Sequence, residues 1–332
     1  MLAAESGSSQ MSKGIYMHAI GVDIGGTKIA AGVVDENGKI LAQTRIATAA
    51  DDPASIDRSI AQVCATLAQD YEIGAIGLAA AGFCSPDRTS VQFAPNINWR
   101  EYPIAANVRA LLGLDVQVPI VVENDANAAG WAEYRFGAAH DATDMLMLTI
   151  GTGLGGALVI NDQLVRGRYG VGGEVGHMRV VPNGHTCGCG HDGCWEQYAS
   201  GSALVREARA MAIKQPAHAQ LLIDLAGGSV DAITGPLVTT AAQQGDQFSC
   251  SLLSELGRWI GEGAASVAAL LDPEVVVIGG GVAAAGDLLL TPAQDAFLSS
   301  LPARGHRVEA RFELARMGNE AGIVGAADLA RL

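Results

Sequence analysis

No stretch of this sequence approaches the roughly 20 consecutive apolar residues that a membrane-spanning helix requires, although its mean hydropathy is positive at +0.24. That value comes from Ala, Val and Gly in short segments. Positive charge is scarce: 21 Lys and Arg stand against 35 Asp and Glu, a formal net charge of −14. With no basic field to replace phosphate counterions, the balance argues against non-specific nucleic-acid binding, though not against a local site that grips a phosphate through backbone N–H groups. No signal peptide is visible, because residues 1–14 are small and polar without a hydrophobic centre. Cysteines are few. Cys64, Cys84 and Cys250 lie far apart and read as ordinary buried thiols, a pattern that fits a reducing cytoplasm. What is present is a chain of 332 residues, 49% apolar and only 17% charged, long enough for two domains and a large core.

The pattern is mixed α/β and opens twice in the same way. Residues 1–16 read as a disordered leader, and order begins with a short apolar strand ending at Asp23 and a glycine turn. Residues 28–35 and 38–47 continue as strands around Asn37-Gly38, a strong hairpin signal. A helix is expected over 53–69 after Asp52-Pro53, strands over 73–79 and 120–123, and a helix over 127–136. The second half repeats the theme: a strand over 145–150, a glycine turn over 151–156, a returning strand over 157–160 and a hairpin at Asn161-Asp162. A long helix over 249–271 precedes a strand at 275–278 that ends in Gly279, Gly280 and Gly281. Residues 214–236 look irregular and read as a surface excursion. Two lobes follow: a small one over 17–124, completed by a C-terminal helix at 318–332, and a large one over 125–317.

Asp23-Ile24-Gly25-Gly26-Thr27-Lys28 and Gly151-Thr152-Gly153-Leu154-Gly155-Gly156 each put glycines at a hairpin tip. There backbone N–H groups can converge on an anion with no Cβ in the way, and Thr adds a hydroxyl. The second segment satisfies the dinucleotide fingerprint Gly-x-Gly-x-x-Gly, but that motif demands a helix next. A strand follows here, so a nicotinamide site is rejected, and neither turn matches a P-loop. Asp23 ends an apolar strand, where a phosphate-bridging Mg²⁺ reached through water would offset the burial of its charge; a turn-capping role is the alternative. Asn124 and Asp125 follow Ile120-Val121-Val122-Glu123 at a strand's carboxyl end, where α/β sheets place ligands. Asp125 could equally cap the next helix.

His177, Cys187, Cys189 and Cys194 fall within eighteen positions, flanked by Glu174 and Glu196. Three thiolates and one imidazole make a closed tetrahedral set that favours Zn²⁺, structural because no position stays open. A disulfide with a spare thiol, or buried reduced cysteines, are the rival readings.

Asp23-Ile24-Gly25-Gly26-Thr27-Lys28, Glu123-Asn124-Asp125-Ala126-Asn127, Gly151-Thr152-Gly153-Leu154-Gly155-Gly156, Glu174-Val175-Gly176-His177 and the Cys187-to-Glu196 segment, in this chain order, strongly resemble the ROK family of bacterial sugar kinases and sugar-responsive repressors, over residues from about 19 to 332. Ala94-Pro95-Asn96-Ile97-Asn98-Trp99 and Cys194-Trp195-Glu196-Gln197-Tyr198 resemble the actinobacterial, ATP-dependent glucokinase branch. The resemblance implies an actin-like, ribonuclease-H-like duplicated fold with two lobes around a cleft, a homodimer or homotetramer, and a zinc on His177, Cys187, Cys189 and Cys194. It implies Asp125 as general base toward the glucose 6-hydroxyl, with Gly82, Asn96, Asn124, Glu174, His177 and Glu196 around the sugar. Gly25, Gly26, Thr27 and Lys28 would face the ATP phosphates with Gly151, Thr152 and Gly153, and Gly279, Gly280 and Gly281 the adenosine; Lys28 could instead form a surface salt bridge. About eighteen residues without helical periodicity precede the first strand, which disfavours the repressor branch and its helix-turn-helix. A non-enzymatic sugar sensor, a chaperone-like ATPase, another hexose, or polyphosphate as donor are the competing functions.

Overall fold

The computed structural model describes residues 18–48, 52–114 and 117–332; the leader expected over 1–16 lies outside them. Alternating and continuous apolar runs form two sheets of matching design. In the first, β1 (His18–Ile24), β2 (Lys28–Val34) and β3 (Ile40–Ala47) run antiparallel, and β4 (Ile73–Ala80) lies parallel to β1. A small antiparallel flap of β5 (Phe83–Cys84), β6 (Val91–Phe93) and β7 (Arg100–Tyr102) precedes β8 (Ile120–Asn124), giving the sheet order β3-β2-β1-β4-β8. The second sheet contains β9 (Met145–Ile150), β10 (Leu154–Ile160), β11 (Gln163–Leu164), β12 (Val275–Gly279) and β13 (Arg311–Leu314). Its order is β11-β10-β9-β12-β13, again two antiparallel neighbours on one side and parallel strands on the other. This duplicated arrangement is the actin-like fold.

Parallel neighbours need crossovers, and helices supply them. They are α1 (Pro53–Leu67), α2 (Ile104–Leu112), α3 (Asp125–Phe136), α4 (Gly201–Lys214), α5 (Gln220–Leu225), α6 (Gly235–Gln243), α7 (Gln247–Leu271), α8 (Asp287–Ser300) and α9 (Ala321–Arg331). Asp52 caps α1, its carboxylate accepting the Ser55 N–H, with Pro53 at the first position. The C-terminal α9 returns to the first sheet and packs on β1 and β4. It approaches so closely that a Cβ on Gly21 or Gly77 would lie 1.8 Å from a carbonyl oxygen of Ile323 or Ala326. Glycine is obligatory at both positions because the helix backbone occupies the side-chain space.

Several expectations need correction. The segment 214–236 is largely exposed, as expected, but it is not irregular: it holds α5 and a short 3₁₀ turn, with Leu222 and Ile233 fully buried in the larger core. With only six residues, α5 is too short for a period to register, so packing rather than pattern orders it. The flap and α2 carried too short a signal to be expected at all. The helix after β8 begins at Asp125 rather than Asn127, because Asn124 is its cap. Finally, Gly155 and Gly156 belong to β10 and not to the turn. Asn161 and Asp162 both adopt positive φ, closing the β10–β11 hairpin as the sequence suggested.

Candidate functional site

The carboxyl ends of β1, β8 and β9 face one another across a cavity of about 660 Å³ between the two sheets. Its wall brings together Asp23, Lys28, Asn124, Asp125, Glu174, His177 and Glu196, drawn from segments far apart in sequence. The glycine turns contribute Gly151 and Gly153 from one side and Gly280 and Gly281 from another.

Asn124 is held at both ends of its amide. Its Oδ1 accepts the Asn127 N–H at 3.0 Å, and its Nδ2 donates to the Gly82 carbonyl at 3.1 Å. Asp125 therefore occupies the first turn of α3, not the cap, with Oδ1 accepting the N–H of Ala126 at 2.9 Å. Burial pushes its carboxyl up to about 6; the Ala126 N–H works against this, and the neighbouring charges of Asp23 and Glu174 add to it. Asp23 is also raised by burial, with Lys28 opposing, and its carboxylate sits against Gly322 of α9, where a Cβ would lie 3.1 Å from its Cγ. Burial raises Glu174 as well, His177 opposing and Glu196 adding to the rise. Three carboxylates held above their ordinary range in one cleft mark a site suited to cations and hydroxyl donors.

The zinc-type segment folds as a small knot behind this wall. Two isolated bridges, Arg179 with Cys194 and Thr186 with Asp192, fold the segment back on itself. Gly193 turns at φ +79, and a Cβ there would meet the Val181 carbonyl oxygen at 1.7 Å. One ligand atom from each of His177, Cys187, Cys189 and Cys194 lies within 4.8 Å of the others. Cys189 Sγ and Cys194 Sγ are 3.6 Å apart, and Cys187 Sγ is 3.7 Å from His177 Nδ1. A tetrahedral ion with metal–sulfur distances of about 2.3 Å places its ligands nearly 3.8 Å apart, so the donor set fits such an ion. All six cysteines are free thiols. Cys64 and Cys84 are buried as expected, whereas Cys250 is half-buried.

Glu196 joins the knot to the turn between β9 and β10. Its Oε1 lies 3.7 Å from Cys187 Sγ, and its Oε2 accepts the Leu154 N–H at 3.1 Å. A Cβ on Gly153 would stand 2.3 Å from that same Oε2. The glycine at 153 is thus fixed by the carboxylate beside it as much as by any anion.

Other expected residues stand outside the cavity wall. Gly25, Gly26 and Thr27 form the β1–β2 bend, closed by the Gly25 N–H donating to the Lys28 carbonyl at 3.0 Å. Asn96 neighbours Gly26, on which a Cβ would lie 3.8 Å from the Asn96 Cβ, and Gly82 meets the site through its carbonyl, which accepts from Asn124. Gly279 is a strand residue packed on Met147. Thr152 lines an adjoining groove of about 780 Å³, which shares Gly151 and Gly281 with the cleft and continues past Ser202, Arg206 and Arg209. Sequence reasoning missed that groove, together with Thr149, Glu133 and Gly322 on the cleft wall. Thr149 was discoverable as the one hydroxyl in an otherwise apolar strand. Glu133 is wholly buried, accepting the N–H groups of Ala138 and Met317, and nothing local marks it.

A profile of the ROK family matches residues 19–332. The chain belongs to the ROK family. Among ROK relatives, the glucokinase of Streptomyces coelicolor is 47% identical over 94% of this chain and 97% of its own length. An N-acetylmannosamine kinase of Yersinia pseudotuberculosis is 34% identical over 82% of this chain and 84% of its own. A crystal structure of a ROK glucokinase from Streptomyces griseus, in complex with glucose and AMPPNP, superposes with a TM-score of 0.84 at 48% identity. It covers 95% of this chain and 99% of that one.

Proposed function

We propose that this ROK protein is an ATP-dependent glucokinase, transferring the γ-phosphoryl group of ATP to the 6-hydroxyl of glucose. The observation that carries the reading is the cleft in which a half-buried carboxylate at a helix's first turn faces a wall of sugar-type acceptors, with a glycine turn hydrogen-bonded to that wall through Leu154 and Glu196. The near full-length similarity to glucokinases supports it.

Asp125 acts as the base. Above pH 6 it is ionised and accepts the hydroxyl proton as the oxygen bonds to the γ-phosphorus and the bond to the β-phosphate oxygen breaks, leaving ADP. A carboxylate suffices because the loose transition state makes positioning the main task. Asn124, Glu174, His177 and Glu196 hold the sugar hydroxyls; a carboxylate accepts two such bonds more strongly than a neutral group. Gly153 presents its backbone N–H to the phosphates, the Gly151 N–H being spent on the Gly153 carbonyl at 3.0 Å, and the groove past Thr152 and Arg206 receives the nucleoside. Asp23, an oxygen donor at the cleft wall, suits Mg²⁺ held through water, which when bound neutralises phosphate charge. His177, Cys187, Cys189 and Cys194 would hold a structural Zn²⁺, which would fix the imidazole's orientation: His177 Nδ1 lies 3.7 Å from Cys187 Sγ, leaving Nε2 for the sugar.

Because burial raises the Asp125 carboxyl, the base form is lost as pH falls through about 6. kcat/KM for glucose, measured with donor saturating as its magnesium complex, is expected to drop roughly tenfold per pH unit below that value. A profile flat down to pH 5 would remove Asp125 from the role. Specificity is tested with a panel of glucose, mannose, N-acetylglucosamine, N-acetylmannosamine and fructose against ATP and polyphosphate. Glucose with ATP is expected to give the highest kcat/KM; a higher value for N-acetylmannosamine would overturn the assignment.

A further inference from the structure

Glu123 immediately precedes Asn124 and Asp125, yet it does not line the cleft, and its side chain is only 4% exposed. Its carboxylate is shared four ways. Oε1 accepts the backbone N–H of Asn124 at 3.2 Å and the Asn127 side-chain amide at 3.1 Å, bracketing Asp125 on either side. Oε2 accepts from Arg166 Nε at 2.7 Å, and Arg88 Nε stands 3.6 Å away. Glu123 and Arg88 belong to the first lobe, whereas Arg166 follows β11 in the second.

Arg166 opens a loop that closes on itself, the Gly172 N–H donating to the Arg166 carbonyl at 2.9 Å. Gly170 in this loop, at φ +80, presses on the other lobe, where a Cβ would lie 2.3 Å from the Cys84 carbonyl oxygen. The same loop runs directly into Glu174 on the cleft wall. One carboxylate therefore connects the helix turn that carries Asp125 with the loop that ends at Glu174.

Stability alone is a poor reason for this arrangement. Two guanidiniums around one buried carboxylate leave an excess charge, and Arg88 Nε is buried without a hydrogen-bond partner, as is Asn127 Oδ1. Apolar side chains of similar volume hold two lobes together at least as well as a buried ion pair. What the pair supplies is direction, since a guanidinium N–H on a carboxylate fixes both distance and angle.

We infer that the Arg166–Glu123 pair is an inter-lobe strap that sets Asp125 against Glu174, both members being positioning residues for phosphoryl transfer. The inference rests on the glucokinase reading above. A displacement of about 1 Å at a reacting group costs on the order of 10²-fold in rate, which sets the expected effect.

The test is steady-state kinetics on Arg166→Met, Arg166→Lys, Glu123→Gln and the double variant Arg166→Met with Glu123→Gln. Arg88 remains to balance Glu123 when Arg166 is removed, so Arg166→Met is expected to fold. Its kcat should fall about 30- to 100-fold while KM for ATP stays within about twofold. Arg166→Lys, which returns a charge and a donor but not the fixed direction of the guanidinium, should recover kcat only in part, to a value between those of Arg166→Met and the parent. The double variant should be no worse than the poorer single one, because the two act through one contact. The strap is overturned by an Arg166→Met enzyme with parental kcat, by an ATP KM that rises in step with the loss, or by losses that multiply in the double variant. If Arg166→Met does not fold, Glu123→Gln carries the same kinetic comparison. A parent protein inactive toward glucose would instead overturn the functional reading itself.

Discussion

Asp125→Ala is expected to lower kcat for glucose phosphorylation roughly 10³- to 10⁴-fold, the upper range of what a positioned base contributes. The fold should survive, for a structural reason: the cap of α3 is Asn124, and the Asp125 carboxylate accepts from local backbone N–H groups, chiefly that of Ala126. Thermal stability gives a second readout with a definite sign. The carboxyl of Asp125 is held at about 6 by burial, above its ordinary range. Its favourable contribution to stability is therefore present below the ordinary carboxylate range and is lost as pH rises through about 6. Removing it should raise the melting temperature at pH 8 relative to the parent, and less so, or not at all, near pH 4. Activity within about tenfold of the parent would sink the assignment of the base.

Removal of the proposed zinc, by chelation or by Cys187→Ser, is expected to abolish glucose binding and to lower the melting temperature together. Structural zinc sites contribute on the order of 10 kcal/mol of apparent binding free energy, and that energy is folding energy. Cys187 is the informative position because it touches both sides of the site: its sulfur is 3.7 Å from His177 Nδ1 and 3.7 Å from Glu196 Oε1. Loosening the knot frees His177 and Glu196 of the cleft wall at once, and through Glu196 it also loosens Leu154 at the start of β10. Calorimetric glucose titration, elemental analysis and thermal melts on the same preparation check this. Metal-free protein that binds glucose with parental affinity and melts at the parental temperature would refute it.

The sequence was most legible where chemistry and local geometry coincide. The glycine turn before β10, the Asn-Asp pair at the end of β8 and the cysteine spacing each declare themselves within a few residues, because a tight turn, a helix start or a ligand quartet needs particular residue types side by side. The repeat of strand, turn and returning strand also showed the duplicated fold, since apolar periodicity follows directly from strand geometry. Much less legible were elements whose order comes from packing. Residues 220–232 carry little pattern, yet Leu222 is fully buried beneath them. The flap strands are two or three residues long, too short for any period to register.

By itself, then, the sequence determined the family, the duplicated α/β plan and a small set of polar residues that line the cleft. Each of these is encoded in short segments, and backbone sterics and side-chain chemistry act over such segments directly. Only the tertiary structure decided which expected residues share one cavity: it brought in Lys28, Gly280 and Gly281, left Gly25, Gly26 and Thr27 at its edge, and made Asn124 rather than Asp125 the helix cap. It alone paired Glu123 with Arg166 across 43 positions and set Glu196 against Gly153. Such contacts depend on how two sheets and their connecting loops pack in space. No local period or spacing records that packing, so it appears only once the chain is folded.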